Sequence, residues 1–480
     1  MKLKLKKNHL LAGLLIFFLA LILRLYSLPG LTAFNRDQAR DLIFILEHLK
    51  NSQPILLGPK ASMADFFLGP FYYQLIAPIV AIFPQSPLVP AVLVAFLDSA
   101  TVLVILLIFH QFFSFFPGII AAILYATSPL AIQFGRFAWN PNPIPFFTSL
   151  FLFFSLKFLK TNSLLDYLLT CLFCALAIHL HYQAAILLLF LAFISIVSLI
   201  KKFDLEKIFL GGLVGLVTFL PWFFYDLTHN FFNLRNIYSF FTREYELWFQ
   251  GVRLPQFFIT FIPRFFSRLQ GFNLTISRLI FWSFLFFILF QLTLKVKHWY
   301  QLKAKRRQLL TTWSPTLAFG LFFLLSLLGL RIYKGDKLDY YMAFLYPVPA
   351  MIIGLYLHLT QKYKSAVLLL AAILLFGNLT NSPLRESLNH DIASRSQLAN
   401  QIMAYYPGQS IYVLPGDASF TNPVKYFLLL KQKLALNPNH YPQIIICPPR
   451  SPLKLCSPQC SLDFTIFTNF REVDVREKIL

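Results

Sequence analysis

Residues 8–28 read NHLLAGLLIFFLALILRLYSL, an apolar stretch that follows Lys2, Lys4, Lys6 and Lys7. A helix needs roughly 20 mostly apolar residues to cross the hydrocarbon core of a bilayer, and this stretch has that length. It lacks a convincing small-x-small cleavage site, so it is typical of an uncleaved signal anchor rather than of a removed signal peptide. The stretch therefore predicts a chain whose fold is decided by a membrane.

Similar apolar stretches recur along the chain, which is 57% hydrophobic and only 13% charged, with 56 phenylalanines. This composition excludes a soluble globular domain. We expect about eleven spanning helices. Their predicted positions are 8–28, 88–113, 116–134, 143–159, 164–181, 184–200, 207–225, 278–296, 313–332, 340–360 and 365–380.

The short basic loops predict the orientation of these spans. Lys and Arg near helix ends are retained on the cytoplasmic side, and alternate loops after a cytoplasmic N-terminus hold most of them. These loops contain Lys157, Lys160, Lys201, Lys202, Lys207, Lys295, Lys297, Lys303, Lys305, Arg306, Arg307, Lys362 and Lys364. The pattern predicts a multi-pass protein of the plasma (inner) membrane with an extracytoplasmic C-terminus. It also explains the net charge of +22 better than nucleic-acid binding does.

Three segments are predicted to lie outside: a first loop at 29–87, a second at about 226–277, and the tail. The tail differs in composition, with short strands predicted at 411–414, 444–446 and 464–467 and a helix at 422–436. We therefore expect an all-α polytopic membrane domain with a small extracytoplasmic α/β domain. The predicted boundaries are 1–380 and 381–480.

The cysteines give little chemical information. Cys171 and Cys174 form a CxxC within an apolar span and without a second ligand pair, which favours packing over zinc binding. Cys456 and Cys460 lie close enough in the tail for a local disulfide in an oxidising compartment, which would leave Cys447 unpaired.

The first loop carries the densest chemistry. It opens with RDQARD at 36–41, in which Asp37 and Asp41 share one face of a helix predicted over 33–50. Apolar residues interspersed in that helix predict that it lies along the membrane interface. The alternative is a solvated helix with acidic and basic neighbours. The aromatic segment at 65–73 follows a Gly/Pro break and suits a re-entrant or membrane-lying helix.

Three later segments fall at predicted outer turns. They are GRFAWNPN at 135–142, IHLHYQ at 178–183 and GDKLDYY at 335–341. With the acidic motif and the GPFYY at 69–73, this order of motifs resembles the GT-C membrane glycosyltransferases, within them the protein O-mannosyltransferase and aminoarabinose transferase group. The resemblance covers roughly residues 8–360. That family usually has Asp-Glu in its first loop, whereas this chain has Asp37 followed by Gln38.

The resemblance implies inverting transfer of a sugar from a polyprenyl-phosphate donor to an acceptor glycan, lipid or protein. It implies that Asp37 is the catalytic base and that Arg136 binds the leaving phosphate, for which guanidinium is well suited. Further expected donor contacts are Lys60, His179, His181, Arg331 and Lys337, with Lys334 an additional alternative. Expected substrate contacts are Arg36, Gln38, Asp41, Tyr72, Tyr73, Asp336, Asp339 and Tyr340.

Each of these assignments has a simpler alternative. Cations at a membrane boundary also extend to lipid headgroups, the two histidines also suit the interface, and Asp336 and Asp339 also suit exposed turns. The Asp37-Gln38 departure removes one oxygen ligand, so we expect no essential metal and no cofactor.

Other classes of protein remain open on the sequence. The absence of a DxD-type motif and of a Gly-rich phosphate loop favours a lipid-linked donor over a nucleotide sugar. A lipid or glycan transporter or flippase is the main alternative, although the sequence has no clear internal repeat. An inactive glycan-binding scaffold is a third class, and it would tolerate neutralisation of Asp37.

Overall fold

A computed structural model describes residues 6–61, 65–242, 253–301, 312–333, 338–360, 363–385, 391–413, 418–434, 443–447, 465–468 and 471–473. Helices dominate these residues. The first nine are α1 Lys7–Leu25, α2 Leu28–Leu31, α3 Arg36–Lys50, α4 Phe71–Ile82, α5 Val89–Phe112, α6 Phe115–Ala126, α7 Pro129–Phe134, α8 Ile144–Thr161 and α9 Leu164–Leu180.

The next helices continue the bundle. They are α10 Leu187–Ile200, α11 Leu205–Thr218, α12 Leu220–Thr228, α13 Phe232–Thr242, α14 Leu254–Gln256, α15 Ile262–Gln270, α16 Leu274–Gln301, α17 Pro315–Ile332, α18 Val348–Leu359 and α19 Lys364–Thr380. Single 3-10 segments precede α10 and α18, at Tyr182–Ile186 and Asp339–Leu345, and a π-helical turn at Phe257–Phe261 precedes α15.

The helices confirm the predicted membrane bundle. Among the described residues, seven helical segments are long and apolar enough to cross a bilayer, or eight when α11 and α12, which meet at a 62° bend, count as one broken span. The shorter apolar helices α6, α9 and α19 lie at the other predicted span positions. The chain is therefore a multi-span membrane protein.

Exposed apolar side chains show where the bundle meets lipid. On α1, Leu11, Leu15, Phe18 and Ile22 are each more than half exposed, whereas Ala20 on the opposite side is fully buried. A surface this apolar is stable only when hydrocarbon covers it.

The tail combines two helices with a small sheet. Its elements are α20 Ile392–Tyr405, β1 Tyr412–Val413, α21 Ala418–Leu430, β2 Gln443–Cys447, β3 Thr465–Thr468 and β4 Arg471–Val473. The strand order is β1-β2-β3-β4, with β1 parallel to β2 and the other neighbours antiparallel. Of these elements, β1, β2, β3 and α21 lie at or close to the strand and helix positions that the sequence predicts. The predicted disulfide residues Cys456 and Cys460 lie outside the described residues.

Helix α21 of the tail packs directly against the first loop. The rings of Tyr426 and Phe427 lie 5.3 and 5.6 Å from the ring of Phe34, just before α3. The Asn422 side chain donates to the Arg36 carbonyl at 3.3 Å. The tail therefore buries the start of the helix that carries the acidic motif.

Close packing also fixes the loop before α4, and this gives a test of the fold. A Cβ at Gly69 would overlap the ring of His179, whereas a Cβ at Gly212 in α11 would meet nothing within 4 Å. We expect Gly69→Ala to lower the apparent Tm of the purified protein by a few degrees, because overpacking costs about 1–3 kcal/mol. Gly212→Ala is the matched control and should leave the Tm unchanged or raise it, since alanine favours helix. Equal Tm values for the two variants would contradict this packing.

Candidate functional site

Helix α3 presents Asp37 from its first turn. The Asn35 side chain accepts from the backbone at the third helical position, and the Gln38 side chain accepts from the Asn35 N–H at 2.9 Å. This reciprocal pair is a capping box, which satisfies two otherwise unpaired donors at a helix start. Gln38 therefore has a structural reason to follow Asp37, since an amide oxygen caps as a carboxylate does.

Arg40 joins the two aspartates of the motif. Its Nη1 lies 3.0 Å from Asp37 Oδ1 and its Nη2 lies 2.7 Å from Asp41 Oδ1. The Tyr73 hydroxyl donates to the same Asp41 oxygen at 2.7 Å. Asp37 retains 31% exposure of its side chain, whereas that of Asp41 is 2% exposed. The two carboxylates therefore differ in access, and Asp37 is the one that a substrate can reach.

Burial changes the acidity of Asp41. Desolvation, opposed by Arg40 and by the Tyr73 hydrogen bond, raises the pKa of Asp41 to about 6 from 3.8. Its Oδ2 atom has no hydrogen-bond partner within the described chain. Asp41 thus binds Arg40 and Tyr73 of α4 and does not face a cavity.

The loop before α4 folds back on itself and carries Lys60. The Leu68 N–H donates to the Pro59 carbonyl and the Gly58 N–H donates to the Leu68 carbonyl, both at 2.9 Å. Lys60 Nζ lies 3.0 Å from Asp65, and its side chain is 48% exposed. The pairing holds Lys60 on the same side of the bundle as Asp37.

Helices α12 and α13 hold this loop from the other side. Trp222 Nε1 donates to the Phe67 carbonyl at 2.9 Å, and Asn233 Oδ1 accepts from the Phe67 N–H at 2.7 Å. The Asp226 carboxylate in turn accepts from Asn233 Nδ2 at 2.8 Å. The bent helix pair α11–α12 therefore supports the first loop.

Arg136 lies in the turn after α7 and is 2% exposed. Its Nη2 donates to the Tyr26 carbonyl at 2.6 Å, and Thr32 Oγ1 donates to the Arg136 carbonyl at 3.2 Å. Its Nε and Nη1 have no acceptor within the described residues. Burial, with a smaller effect of nearby Arg24, lowers the pKa of Arg136 to about 10, so the guanidinium remains charged at neutral pH. A buried charge with unpaired donors favours an anionic partner.

A second buried cation lies behind Arg136, and the sequence reasoning missed it. Arg24 Nε donates to Asp98 Oδ2 at 2.5 Å, and the Tyr125 hydroxyl donates to the other Asp98 oxygen at 2.5 Å. Arg24 also donates to the Ala126 carbonyl at 3.0 Å. The signal was present, because ionisable residues inside predicted spans 8–28 and 88–113 are costly unless paired.

Aromatic side chains surround His181. The Trp139 and Tyr340 rings lie 4.4 Å apart, and the His181 ring lies 4.8 Å from Tyr182 and 5.0 Å from Tyr341. Burial lowers the pKa of His181 to about 3, so its ring is neutral at physiological pH. A neutral imidazole can donate or accept a hydrogen bond but adds no charge to the site.

Two cavities meet at Asp37, and a third adjoins one of them. The Asp37 cavity, of about 460 Å³, is lined by Leu31, Ala33, Asn35, Asp37, Gln38, Gln133, Phe134, Arg136, Phe137, Trp139 and Pro383. The Lys60 cleft, of about 40 Å³, is lined by Asp37, Arg40, Pro59, Lys60, Ala61, Leu68, Trp139, Asn140, His181, Tyr182, Tyr340 and Tyr341. Asp37 and Trp139 line both.

A third space extends away from Asp37. This polar cavity, of about 640 Å³, is lined by Pro129, Leu130, Gln133, Ser267, Arg268, Gly271, Phe272, Asn273, Thr380, Asn381, Ser382 and Pro383. Gln133 and Pro383 line both it and the Asp37 cavity, so the two are neighbours.

The structure brings together six of the thirteen predicted site residues that it describes. Asp37, Gln38, Arg136, Lys60, His181 and Tyr340 line the Asp37 cavity or the Lys60 cleft. Asp41, Arg36, Tyr72, Tyr73, His179, Arg331 and Asp339 line none of the three cavities. Asp336, Lys337 and Lys334 lie outside the described residues.

The residues away from the cavities have other partners or positions. His179 Nε2 lies 2.9 Å from Thr218 Oγ1, and its ring stacks on Phe219 at 3.7 Å. Asp339 forms an ion pair with Arg268. Tyr72 is fully buried and Arg36 is exposed at the start of α3.

The described residues contain no group of three His, Cys, Asp or Glu side chains arranged to hold a metal ion. Cys171 and Cys174 are buried free thiols in α9. The polar side chains around Asp37 are therefore arranged for hydrogen bonds and ion pairs.

Comparisons with known proteins identify the architecture. Residues 68–225 match the sequence model of the family described as dolichyl-phosphate-mannose-protein mannosyltransferase. ArnT from Cupriavidus metallidurans in the apo state superposes with a TM-score of 0.54 at 13% identity, over 92% of each chain. The chain has the GT-C fold. The GT-C fold implied by the motifs is thus confirmed, and the match over residues 68–225 agrees with the predicted resemblance.

Two further solved structures share the GT-C fold. ArnT from Cupriavidus metallidurans bound to undecaprenyl phosphate gives a TM-score of 0.54 at 14% identity, over 92% of each chain. The apo oligosaccharyltransferase of Archaeoglobus fulgidus gives 0.51 at 13% identity, over 93% of this chain and 70% of that one. No curated protein sequence matches the chain.

The raised pKa of Asp41 predicts a pH-dependent stability. Between about pH 4 and 6 the folded protein holds a proton on Asp41 that the unfolded chain has lost, so stability from this group falls as the pH rises. Asp41→Asn cannot titrate. We expect the Tm difference, unaltered protein minus Asp41→Asn, to decrease from pH 4 to pH 7, by an amount equivalent to about 3 kcal/mol at most.

The exposed carboxylate of Asp65, 74% exposed, provides the control for this measurement. The Tm difference between the unaltered protein and Asp65→Asn should change much less over the same range, because an exposed group is little desolvated. A pH-independent difference for Asp41→Asn would contradict the assigned burial of a protonatable carboxyl.

Proposed function

We propose that the protein transfers a sugar from a polyprenyl-phosphate donor to an acceptor hydroxyl, with Asp37 as the general base. The observation that carries the proposal is that an accessible carboxylate and a buried, incompletely paired guanidinium line one cavity of about 460 Å³. The match to a dolichyl-phosphate-mannose mannosyltransferase family and the fold shared with ArnT bound to undecaprenyl phosphate support a lipid-linked donor.

The proposed reaction is a single displacement at the anomeric carbon of the sugar. The acceptor oxygen forms a bond to the anomeric carbon while the bond from that carbon to the phosphate oxygen breaks. The acceptor proton passes to the carboxylate, and the polyprenyl phosphate leaves as an anion. Attack from the face opposite the phosphate inverts the anomeric configuration. Positive charge that develops on the sugar is stabilised by a nearby carboxylate, as in other glycosyl transfers.

Asp37 suits the role of base by position. It lines both the Asp37 cavity and the Lys60 cleft, so a substrate in either can approach it. Arg40 holds its Oδ1 atom and is itself held by buried Asp41. This arrangement fixes the direction of the carboxylate and leaves Oδ2 for the acceptor hydroxyl.

Arg136 suits the leaving phosphate. Its two unpaired N–H groups would gain charge-assisted hydrogen bonds from phosphate oxygens, each stronger than a neutral hydrogen bond. Lys60 is the alternative phosphate ligand from the opposite side of Asp37, where Tyr340 and His181 also lie. The two assignments place the phosphate on different sides of the carboxylate.

The proposal includes the setting of the reaction. We place Asp37 and its cavities on the outer face of the plasma membrane, the N-terminus in the cytoplasm and the tail outside, because the basic loops follow the positive-inside pattern. Residues 1–380 would form the catalytic membrane domain and 381–480 an extracytoplasmic domain. The acceptor would be a glycan, a lipid or a protein.

A transporter or flippase is the second candidate, and the 62° bend between α11 and α12 is the feature it would share. In this chain, however, Trp222 of the bent pair supports the Phe67 backbone of the first loop. The bend thus has a supporting role beside Asp37, which favours the transferase.

Neutralising the base tests the proposed chemistry. We expect Asp37→Asn to lower the turnover of a polyprenyl-phosphate sugar at least about 100-fold, because general-base catalysis contributes roughly 10²–10⁴-fold. Release of free polyprenyl phosphate, followed by mass spectrometry, measures turnover, and an unchanged Tm shows retained folding. Asp204→Asn, at an exposed carboxylate beside Lys207, is the control and should be fully active. Unchanged turnover in Asp37→Asn would refute the base assignment.

Two variants separate the phosphate assignments. We expect Arg136→Lys to raise the KM for the lipid donor about 10- to 100-fold, because lysine keeps the charge but loses the paired geometry of guanidinium. Lys60→Met should have a smaller effect if Arg136 is the main ligand. A large KM increase in Lys60→Met alone would move the phosphate to the Lys60 cleft. Tm values of both variants show whether either change acts only through folding.

A further inference from the structure

The polar cavity differs in chemistry from the Asp37 cavity beside it. Its walls come from the start of α7, the end of α15 with the turn after it, and the segment that follows α19. At about 640 Å³ it is the largest of the three cavities described above. This volume is within the range of small-molecule sites in proteins.

Several neutral polar groups of its wall lack hydrogen-bond partners. Gln133 is exposed, and no hydrogen bond of its amide occurs within the described part of the chain. The Ser382 hydroxyl is buried and unpaired there. Gln270, next to wall residue Gly271, is 1% exposed and has both amide atoms unpaired among the described residues. The Ser382 hydroxyl and the Gln270 amide therefore require an explanation, because buried polar groups without partners are rare, whereas the exposed Gln133 amide is free to bind a ligand.

Other side chains of the wall use part of their hydrogen-bonding capacity within the protein and leave the rest available to a ligand. Asn381 Nδ2 donates to the Gly271 carbonyl at 2.7 Å, which leaves its Oδ1 atom as an acceptor. Asn273 Oδ1 caps α16 by accepting from the Thr275 N–H at 2.6 Å, which leaves its amide N–H groups as donors. The cavity thus offers both donors and acceptors.

The wall also carries little net charge. Arg268 is its one ionisable side chain among the described residues, and Arg268 is neutralised by an ion pair with Asp339. Phe272 adds an aromatic face. Neutral amides and hydroxyls around an aromatic ring complement a ligand that has many hydroxyl groups and no charge.

The arrangement of the cavities indicates which of the two substrates the polar cavity suits. The transferred sugar must lie between the leaving phosphate and Asp37, so it occupies the Asp37 cavity. The Lys60 cleft, at about 40 Å³, is too small for a sugar ring. The polar cavity adjoins the Asp37 cavity through Gln133 and Pro383 and has the larger volume.

We propose that the polar cavity binds the saccharide part of the acceptor, a neutral glycan, and directs one of its hydroxyls to Asp37 past Gln133. This inference rests on the proposed transferase function and adds the chemical class of the acceptor. Gln133 is then a specificity-determining residue, and Ser382 and Asn381 contact the acceptor beyond it.

A binding experiment tests the site without requiring turnover. The full-length protein in lipid nanodiscs is photolabelled with diazirine-bearing neutral trisaccharides built from glucose, mannose or galactose, and the labelled peptides are mapped by mass spectrometry. We expect at least one trisaccharide to label segments 129–133, 267–273 or 380–383. Labelling should fall about tenfold in the Gln133→Leu/Ser382→Ala variant and persist in Asp37→Asn. Gln301→Leu, at an exposed glutamine of α16 outside the cavity, should label normally.

A kinetic arm separates this inference from the proposed function. With a polyprenyl-phosphate donor, the Gln133→Leu/Ser382→Ala variant should raise the KM for the labelled trisaccharide about tenfold. The donor KM should change much less, although Gln133 also borders the Asp37 cavity. If Ser382→Ala lowers the Tm, Gln133→Leu alone carries the test, because its side chain is exposed.

Different results would overturn the acceptor assignment and the transferase function. Absence of label from all neutral trisaccharides, equal label in the variant, or preferential labelling by a diazirine-bearing serine peptide would overturn the acceptor assignment. A rise in donor KM alone would assign the cavity to the donor sugar instead and overturn it too. Labelling at the cavity without consumption of any donor would sustain glycan binding there and refute the transferase.

Discussion

The buried ion pair between Arg24 and Asp98 sets the geometry on which the candidate site depends. Charges inside an apolar bundle are costly unless they are paired and hydrogen-bonded. Arg24 meets this condition by donating to Asp98 and to the Ala126 carbonyl, so the end of α1 is tied to α5 and α6. Gly135 lies against both charged side chains, where a Cβ would approach Asp98 Oδ2 to 2.7 Å. The turn that carries Arg136 therefore packs on this pair.

From that pair, a chain of contacts leads to Asp37. Arg136 donates to the Tyr26 carbonyl just after α1, and Thr32 donates back to the Arg136 carbonyl. The Ile392 N–H of the tail donates to the Thr32 carbonyl at 3.2 Å. Further along, Phe34 packs against Tyr426 immediately before α3. The membrane bundle and the tail thus hold the start of α3 from two sides, and Asp37 lies in the first turn of that helix.

The tail accordingly has a structural role in the site, although Pro383 alone of its described residues lines the Asp37 cavity. Phe34 is 1% exposed because α21 covers it. Removing such a ring from a core usually costs about 3–5 kcal/mol, which is large compared with the stability of a helix end. The tail can therefore influence the site by holding the start of α3 in place.

The sequence predicted the bundle well, because long apolar segments in a membrane leave the backbone few alternatives to helix. It also placed Asp37, Gln38, Arg136, Lys60, His181 and Tyr340 near one another, since motifs predicted to lie on one side of the membrane converge on one face of the bundle. It named Asp37 as the base from the family resemblance, but it did not show the distinction in burial between Asp37 and Asp41, which share a helical face. Tyr73 of α4 makes that distinction by covering Asp41, and such a tertiary contact has no signature in local periodicity.

The polar cavity was also beyond the reach of sequence reasoning. Its walls combine residues near 130, 270 and 380, and each is an ordinary turn or helix end when read alone. His179 is the opposite case. Its motif predicted a place in the site, whereas its ring packs on Phe219 and Gly69 inside the bundle. Charge and aromatic patterns thus located the face of the protein, and side-chain packing decided which groups reach the cavities.

The central claim is that this GT-C chain uses a lipid-linked sugar. The most direct measurement incubates the reconstituted full-length protein with the same set of sugars in two forms, polyprenyl-phosphate-linked and nucleotide-linked, together with a membrane extract as a source of acceptors. Mass spectrometry then follows free polyprenyl phosphate and free nucleotide. We expect release of polyprenyl phosphate from at least one lipid-linked sugar and no consumption of nucleotide sugars. Consumption of a nucleotide sugar with every lipid-linked sugar left intact would contradict the claim.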